Sequence, residues 1–375
     1  MQFIDLQEQY KLVEKQINEG IQTVLAHGQF IMGPEVLELE KKLANYVNVK
    51  HAITCANGTD ALHLPLLAWG IGKGDAVFTT TFSFFATAEV ISLTGATPVF
   101  VDIEEETFNI CPKALEKEIG KVKSEGKLTA KAIIPVDLFG SLADYDKISD
   151  IAKKYEVKVL SDAAQSFGGT HNGKKAGSFG DAAATSFFPA KPLGCYGDGG
   201  AMFTDDDGLA EHLRSLRNHG QGSDKYDNIR IGLNSRLDTI QAAILLPKLE
   251  ILSDEIEKRN IVAKKYNSFL GAIVKTPYIS SNATSAWAQY SVLAKNAEER
   301  EKFQEILKEA EIPTMIYYPK PLHLQKAFSN LGYRIGDFPV AEDVTSRIFS
   351  LPMHPYLTEV QIKKINKKIQ EQVTI

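Results

Sequence analysis

Between residues 8 and 26 the apolar positions recur at helical spacing. Val13, Ile17, Ile21 and Val24 share one face, and charged or amide side chains occupy the other. This predicts an amphipathic helix that Gly28 ends. From about residue 50 the pattern changes. Short apolar runs at 76–79, 98–102, 132–136 and 158–160 read as strands, and 87–93 and 144–155 read as helices between them. Several strand runs are almost continuously apolar, as parallel strands covered on both faces are. The alternation predicts a layered α/β domain. A long helical stretch, 237–270, follows, with Pro247 expected to bend it. Beyond it, 288–293, 314–318 and 348–351 read as strands, and 298–309 and 358–369 as helices. The expected division is a large domain over 1–245, with an N-terminal helical arm, and a smaller C-terminal α/β domain over 246–375.

Composition narrows the partners. The 375 residues are 44% hydrophobic and 24% charged, with a net charge of −5. That charge gives no electrostatic reason to expect nucleic acid. Cys55, Cys111 and Cys195 are scattered and form no CxxC pair. A disulfide framework or zinc site is therefore not expected, and a reducing cytoplasm fits best. Asp5 and Glu8 interrupt the N-terminus, which lacks the apolar core of a signal peptide. No uncharged stretch approaches the ~18 apolar residues of a membrane span.

Three segments carry candidate chemistry. Ala56-Asn57-Gly58-Thr59-Asp60-Ala61-Leu62 follows an apolar run and opens a helical pattern. A strand, a glycine turn and a helix N-terminus suit a phosphate, although Thr59 or Asp60 could simply cap the helix. Asp162 follows the run 157–160 and so stands at the carboxyl end of a strand, the edge where ligands gather in open α/β sheets. A carboxylate there suits a protonated ring nitrogen, and a helix cap is the competing reading. Lys191 lies in Ser186-Phe187-Phe188-Pro189-Ala190-Lys191-Pro192-Leu193-Gly194. Desolvation among these apolar neighbours would lower its pKa toward the neutral amine that carbonyl chemistry needs. The alternative is a buried strand with an incidental lysine. A phosphate cradle, a strand-end carboxylate and a desolvated lysine together match the needs of pyridoxal 5′-phosphate.

The ordered set of motifs resembles the sugar-nucleotide aminotransferases of the DegT/DnrJ/EryC1/StrS family, within the fold-type I pyridoxal-phosphate enzymes. The similarity runs nearly end to end. It includes Phe3-Ile4-Asp5-Leu6, Gly33-Pro34-Glu35-Val36, residues 56–62, 162–165 and 186–200, Asn234-Ser235-Arg236-Leu237-Asp238, and Leu351-Pro352-Met353-His354-Pro355. The resemblance implies a three-layer α/β/α fold like that of aspartate aminotransferase. By it, Lys191 binds the cofactor and moves the proton between donor and cofactor carbons. Asp162 keeps the pyridine nitrogen protonated. Gln165 bonds the ring hydroxyl, Phe84 stacks on the ring, and Gly58, Thr59 and Ser186 hold the phosphate. Asn234 matches an asparagine that completes the phosphate cup of the neighbouring subunit, which implies a homodimer with its site at the interface.

Within the family, residues 187–200 and 234–249 most resemble enzymes that aminate C3 of UDP-2-acetamido-2-deoxy-3-keto-glucuronate. These serve surface polysaccharides such as O-antigen and lipopolysaccharide, and glutamate leaves as 2-oxoglutarate. Arg236 could bind the sugar carboxylate through a bidentate fork, or pair with Asp238. Many relatives carry His-Tyr where this chain has Tyr317-Tyr318, so Tyr317 and His323 are the further sugar-binding candidates. An aminotransferase for a dTDP- or UDP-linked 3- or 4-keto-6-deoxy sugar is the alternative. A dehydratase would carry histidine at 191, and a regulator on this fold usually adds a DNA-binding module. Gly70-Ile71-Gly72-Lys73-Gly74 lacks the GxGxxG spacing of a dinucleotide site.

Overall fold

The computed structural model describes residues 1–224 and 226–373. Helix α1 (Leu6–His27) is the N-terminal arm. Asp5 caps its start, and Gly28, at φ 70°, caps its end. It buries Val13 and Ile17 against Ile244, so the apolar stripe read from the sequence is the packed one. The chain continues through α2 (Pro34–Val47), β1 (His51–Cys55), α3 (Gly58–Ala68), β2 (Asp75–Thr80) and α4 (Ala86–Leu93). Next come β3 (Thr97–Val101), α5 (Pro112–Glu125), β4 (Thr129–Ile134), α6 (Tyr145–Tyr155) and β5 (Lys158–Asp162). Strands β6 (Ala182–Ser186) and β7 (Gly200–Thr204) and helix α7 (Asp207–Leu216) complete the first lobe.

The seven strands form one sheet in the order β1-β7-β6-β5-β4-β2-β3. β3, β2, β4, β5 and β6 run parallel, and β7 pairs antiparallel with both β6 and β1. Apolar clusters on the two faces explain the continuous apolar runs. One joins Ile53, Val77, Ile134 and Leu160 to α3 and α7. Another joins Phe78, Val99, Ile133 and Val159 to α5 and α6. Because β1, β2, β5 and β6 all point one way, their carboxyl ends share one edge. β7 runs back, so its first residue returns there too, with Gly200 in register with Cys55 on one side and Ser186 on the other.

Helix α8 (Thr239–Leu270) continues unbroken through Pro247. Its first half packs in the large lobe through Leu245, Leu249, Leu252 and Ile256. Its second half packs in the small lobe through Val262, Ala263, Tyr266 and Leu270. The core therefore changes between Ile256 and Val262, along one helix, rather than at residue 245. The small lobe holds β8 (Tyr290–Leu293), α9 (Ala297–Glu309), α10 (Pro339–Arg347), β9 (Ile348–Leu351) and α11 (Glu359–Val373). β8 and β9 pair antiparallel. The strand expected at 314–318 does not form. Only Met315 bridges, to Ser350, and Pro313 and Pro319 bracket the segment without N–H donors.

Candidate active site

The start of helix α3 and the end of β6 approach each other closely. Asn57 caps α3, its side chain accepting from Asp60 N at 2.8 Å. The cap is thus Asn57, not Thr59 or Asp60. The first N–H groups of a helix have no carbonyl partner within it, and those of Gly58 and Thr59 have no acceptor among the described hydrogen bonds. Gly58 cannot carry a side chain here, because a Cβ would sit 2.6 Å from Ser186 Cβ. Gly200 is equally constrained, its Cβ position lying 2.5 Å from the Asn57 carbonyl. Asp60 accepts from Ser235 Oγ at 2.6 Å, which ties the cradle to the segment bearing Asn234 and Arg236.

Asp162 ends β5 and is 5% exposed. Its Oδ2 accepts from Thr87 Oγ1 at 2.8 Å, and its Oδ1 accepts from Ala164 N at 3.2 Å. Burial raises its pKa, while these two bonds and the Lys191 charge pull it back down. Lys191 lies in the turn after β6, its own N–H donating to Phe188 O at 2.8 Å. Desolvation lowers its amine pKa, and the Asp162 charge opposes that shift. The lysine and the carboxylate are therefore close enough to feel each other, each favouring the other's charged form.

Gln165 is buried beside them. Its Oε1 accepts from Phe139 N at 2.7 Å, and its Nε2 donates to Tyr318 OH at 3.1 Å. One amide N–H remains for a ligand. Phe84 is 56% exposed, its ring centroid 6.3 Å from that of Tyr318. Behind Asp162 lies a second carboxylate, Asp137, fully buried. It accepts from Ala143 N (2.9 Å), Tyr145 OH (2.8 Å) and Ser166 Oγ (2.7 Å). Burial, reinforced by the Asp162 charge, raises its pKa to about 7 against those three bonds.

The sugar-side candidates separate. Arg236 does not pair with Asp238. Its Nη1 donates to Asn218 Oδ1 at a long 3.4 Å, and its buried Nε has no partner among the described residues. Tyr317 is half-buried, its ring 6.3 Å from that of Phe3. His323 is a correction. It is 2% exposed, with Nδ1 2.6 Å from Thr81 Oγ1 and Nε2 3.2 Å from Glu342 Oε1. Both ring nitrogens are committed inside the protein, where they join the loop before Phe84 to α10. Asn234 bridges Asn218 on the segment leading into α8. Thr87 and Tyr318 were not singled out from sequence. The first sits one helical turn from Phe84, which is the only local signal for it.

An anion cradle, a buried carboxylate and a desolvated lysine at one edge of a mostly parallel seven-stranded sheet define a fold-type I pyridoxal-phosphate enzyme. These residues fit that cofactor. The N–H groups at the start of α3 would hold its phosphate, and Asp162, already held by two donors, would face a protonated ring nitrogen. Residues 11–370 match the model of the DegT/DnrJ/EryC1/StrS aminotransferase family, and the chain belongs to that family. It is 49% identical to the UDP-2-acetamido-2-deoxy-3-oxo-D-glucuronate aminotransferase of Pseudomonas aeruginosa, over 97% of this chain and 98% of that one. It is 44% identical to a pleiotropic regulatory protein of Geobacillus stearothermophilus, over 98% and 97%. A crystal structure of a family aminotransferase from Brucella abortus superposes with a TM-score of 0.97, at 52% identity and 99% coverage of both chains. NtdA from Bacillus subtilis, solved with bound cofactor PMP, superposes at 0.87 with 29% identity, over 96% of this chain and 82% of that one. The protein is a pyridoxal-phosphate-dependent aminotransferase. Among the described residues no helix is long and apolar enough to cross a membrane.

Proposed function

We propose that this enzyme moves an amino group from glutamate to C3 of UDP-2-acetamido-2-deoxy-3-keto-glucuronate, in the cytoplasm, for a surface polysaccharide such as O-antigen. The observation that carries the uronic-acid reading is Arg236. Its guanidinium is partly buried, has a long bond to the neutral Asn218 amide rather than to a carboxylate, and leaves Nε unpartnered among the described residues. An unpaired guanidinium costs free energy that a substrate carboxylate would recover through a bidentate fork. The Pseudomonas aeruginosa relative acts on such a substrate.

When bound, the cofactor supplies the electron sink that lets an amine and a ketone exchange nitrogen. The chain does the rest. Lys191 Nζ bonds the cofactor and then holds and releases the proton that moves between carbons. Asp162 keeps the ring nitrogen charged, and Thr87 keeps Asp162 aimed. Gln165 donates its free N–H to the ring hydroxyl, and Phe84 covers a ring face. Gly58, Thr59 and Ser186 hold the phosphate. Tyr317 offers the sugar a hydroxyl.

The site is proposed to be shared between two subunits, with Asn234 of one completing the phosphate cup of the other. Exposed apolar side chains on the arm, just after it and in the segment before α8 support a second copy, among them Leu12, Leu25, Phe30 and Ile231, the last 93% exposed. The deciding experiment offers a panel of UDP- and dTDP-keto sugars with glutamate and identifies products by mass spectrometry. Amination of the 3-keto uronic acid is expected. Turnover confined to uncharged 4-keto or 6-deoxy sugars would defeat the proposal, and absence of any turnover would favour a regulator.

A further inference from the structure

A second buried amine touches the loop that carries Lys191. The loop runs from Ser186 to Gly200, and α8 packs against it. Gln241 and Lys248 are seven residues apart on α8, about two turns, and so share a face. Lys248 Nζ donates to Gly194 O at 2.8 Å and stands 4.0 Å over the Tyr196 ring. Gln241 Oε1 accepts from Tyr196 N at 2.9 Å, and its Nε2 donates back to Tyr196 O at 3.4 Å. Gly197 lies flush on the same side chain, its Cβ position 2.9 Å from Gln241 Nε2.

The other side of the loop is closed on itself. Lys191 N donates to Phe188 O and Cys195 N to Phe187 O, each at 2.8 Å. A Cβ on Gly194 would lie 2.4 Å from Pro189 O. The Gly194 carbonyl is thus fixed relative to the turn that presents Lys191.

Lys248 is 1% exposed, and its hydrogen bond among the described residues goes to a carbonyl, not to a carboxylate. The buried Glu255 carboxylate, about two turns further along α8, attracts the ammonium but does not touch it. An ammonium with no carboxylate in contact is costly to bury, so an apolar side chain of similar length would fill the space more cheaply. What the amine gains is one carbonyl and one ring face. Burial lowers its pKa to about 8, which leaves it mostly cationic at neutral pH.

We propose that Lys248 is a positioning residue for Lys191: by holding the Gly194 carbonyl and the Tyr196 ring against α8, it fixes the turn from which the Lys191 amine meets the cofactor. This rests on Lys191 being the cofactor-binding amine. Borohydride reduction of the wild-type holoenzyme and peptide mapping test that separately. A label on any other residue defeats the underlying reading.

The variants are Lys248→Met, Lys248→Arg and Gln241→Leu. Each full-length protein is stripped of cofactor. Pyridoxal phosphate is then added back, and the growth of the visible band of lysine-bound cofactor is timed beside the thermal midpoint. Since small misplacements near a reacting atom cost up to about a hundredfold, Lys248→Met should slow the band at least about tenfold. Its thermal midpoint should not fall below wild type. Lys248→Arg should recover to within about threefold. A wild-type rate in Lys248→Met overturns the proposal. If Lys248→Met fails to fold, Gln241→Leu decides: slowed band growth supports the clamp, and an unchanged rate overturns it.

Discussion

Thr87 Oγ1 donates to Asp162 Oδ2 at 2.8 Å, and both groups are buried. Ser83 Oγ lies 3.2 Å from the same hydroxyl, behind it. A hydrogen bond to a charged group contributes about 1.5–3 kcal/mol, so Thr87→Val should lower kcat by roughly ten- to a hundredfold. Thr87→Ser, which keeps the hydroxyl, should recover most of it. Steady-state kinetics on all three proteins check this. A fully active Thr87→Val would show that Asp162 needs no second donor.

Lys191→Ala should abolish the visible band of bound cofactor and all turnover. The depressed amine pKa gives a further expectation. A lowered pKa means a larger neutral fraction at pH 7–8, so in the cofactor-free protein Lys191 should react with acetic anhydride at lower pH than surface lysines do. Competitive acetylation read by peptide mass spectrometry measures this.

Gly58→Ala places a methyl against Ser186 Cβ. The start of α3 and the end of β6 must then part, and the cradle opens. Affinity for pyridoxal phosphate should fall about tenfold or more, measured by equilibrium titration. Ser186→Ala, which removes a hydroxyl without adding a clash, should lose less.

Asp137 gives stability a pH dependence of definite sign. Its folded pKa is raised to about 7, above about 3.9 in an unfolded chain. Between these values the folded state binds the extra proton, so its contribution is full near pH 4, declines as pH rises, and is gone above about 7. Asp137→Asn should flatten this part of the profile. Thermal midpoints from pH 5 to 8 for both proteins test it.

Arg236→Met should raise KM for a keto uronic acid by about tenfold or more and change KM for its uncharged analogue little. Equal losses on both sugars would assign Arg236 a structural role.

The layered fold was legible because both sheet faces are covered, which leaves unbroken apolar runs at β2 to β5. The placement of Asp162 and Lys191 was legible for a related reason: each departs from its local pattern, a carboxylate closing a strand and an amine among phenylalanines and prolines. Thr87, Tyr318 and Lys248 were not, because their roles depend on partners 75, 153 and 54 residues away. His323, a sugar-binding candidate on sequence, has both nitrogens engaged inside the protein for the complementary reason: only the folded chain brings Thr81 and Glu342 to them. The change of core along α8 leaves no mark in the sequence, because the helix stays helical while the neighbours it packs against change.

The reversed course of β7 has a mechanical corollary. The polypeptide leaves the sheet at Ser186 and re-enters at Gly200, and these two residues are direct cross-strand partners. The intervening excursion begins and ends at one rung of the ladder. A shift within that excursion, which carries Lys191, can therefore be absorbed there while every other rung keeps its alignment.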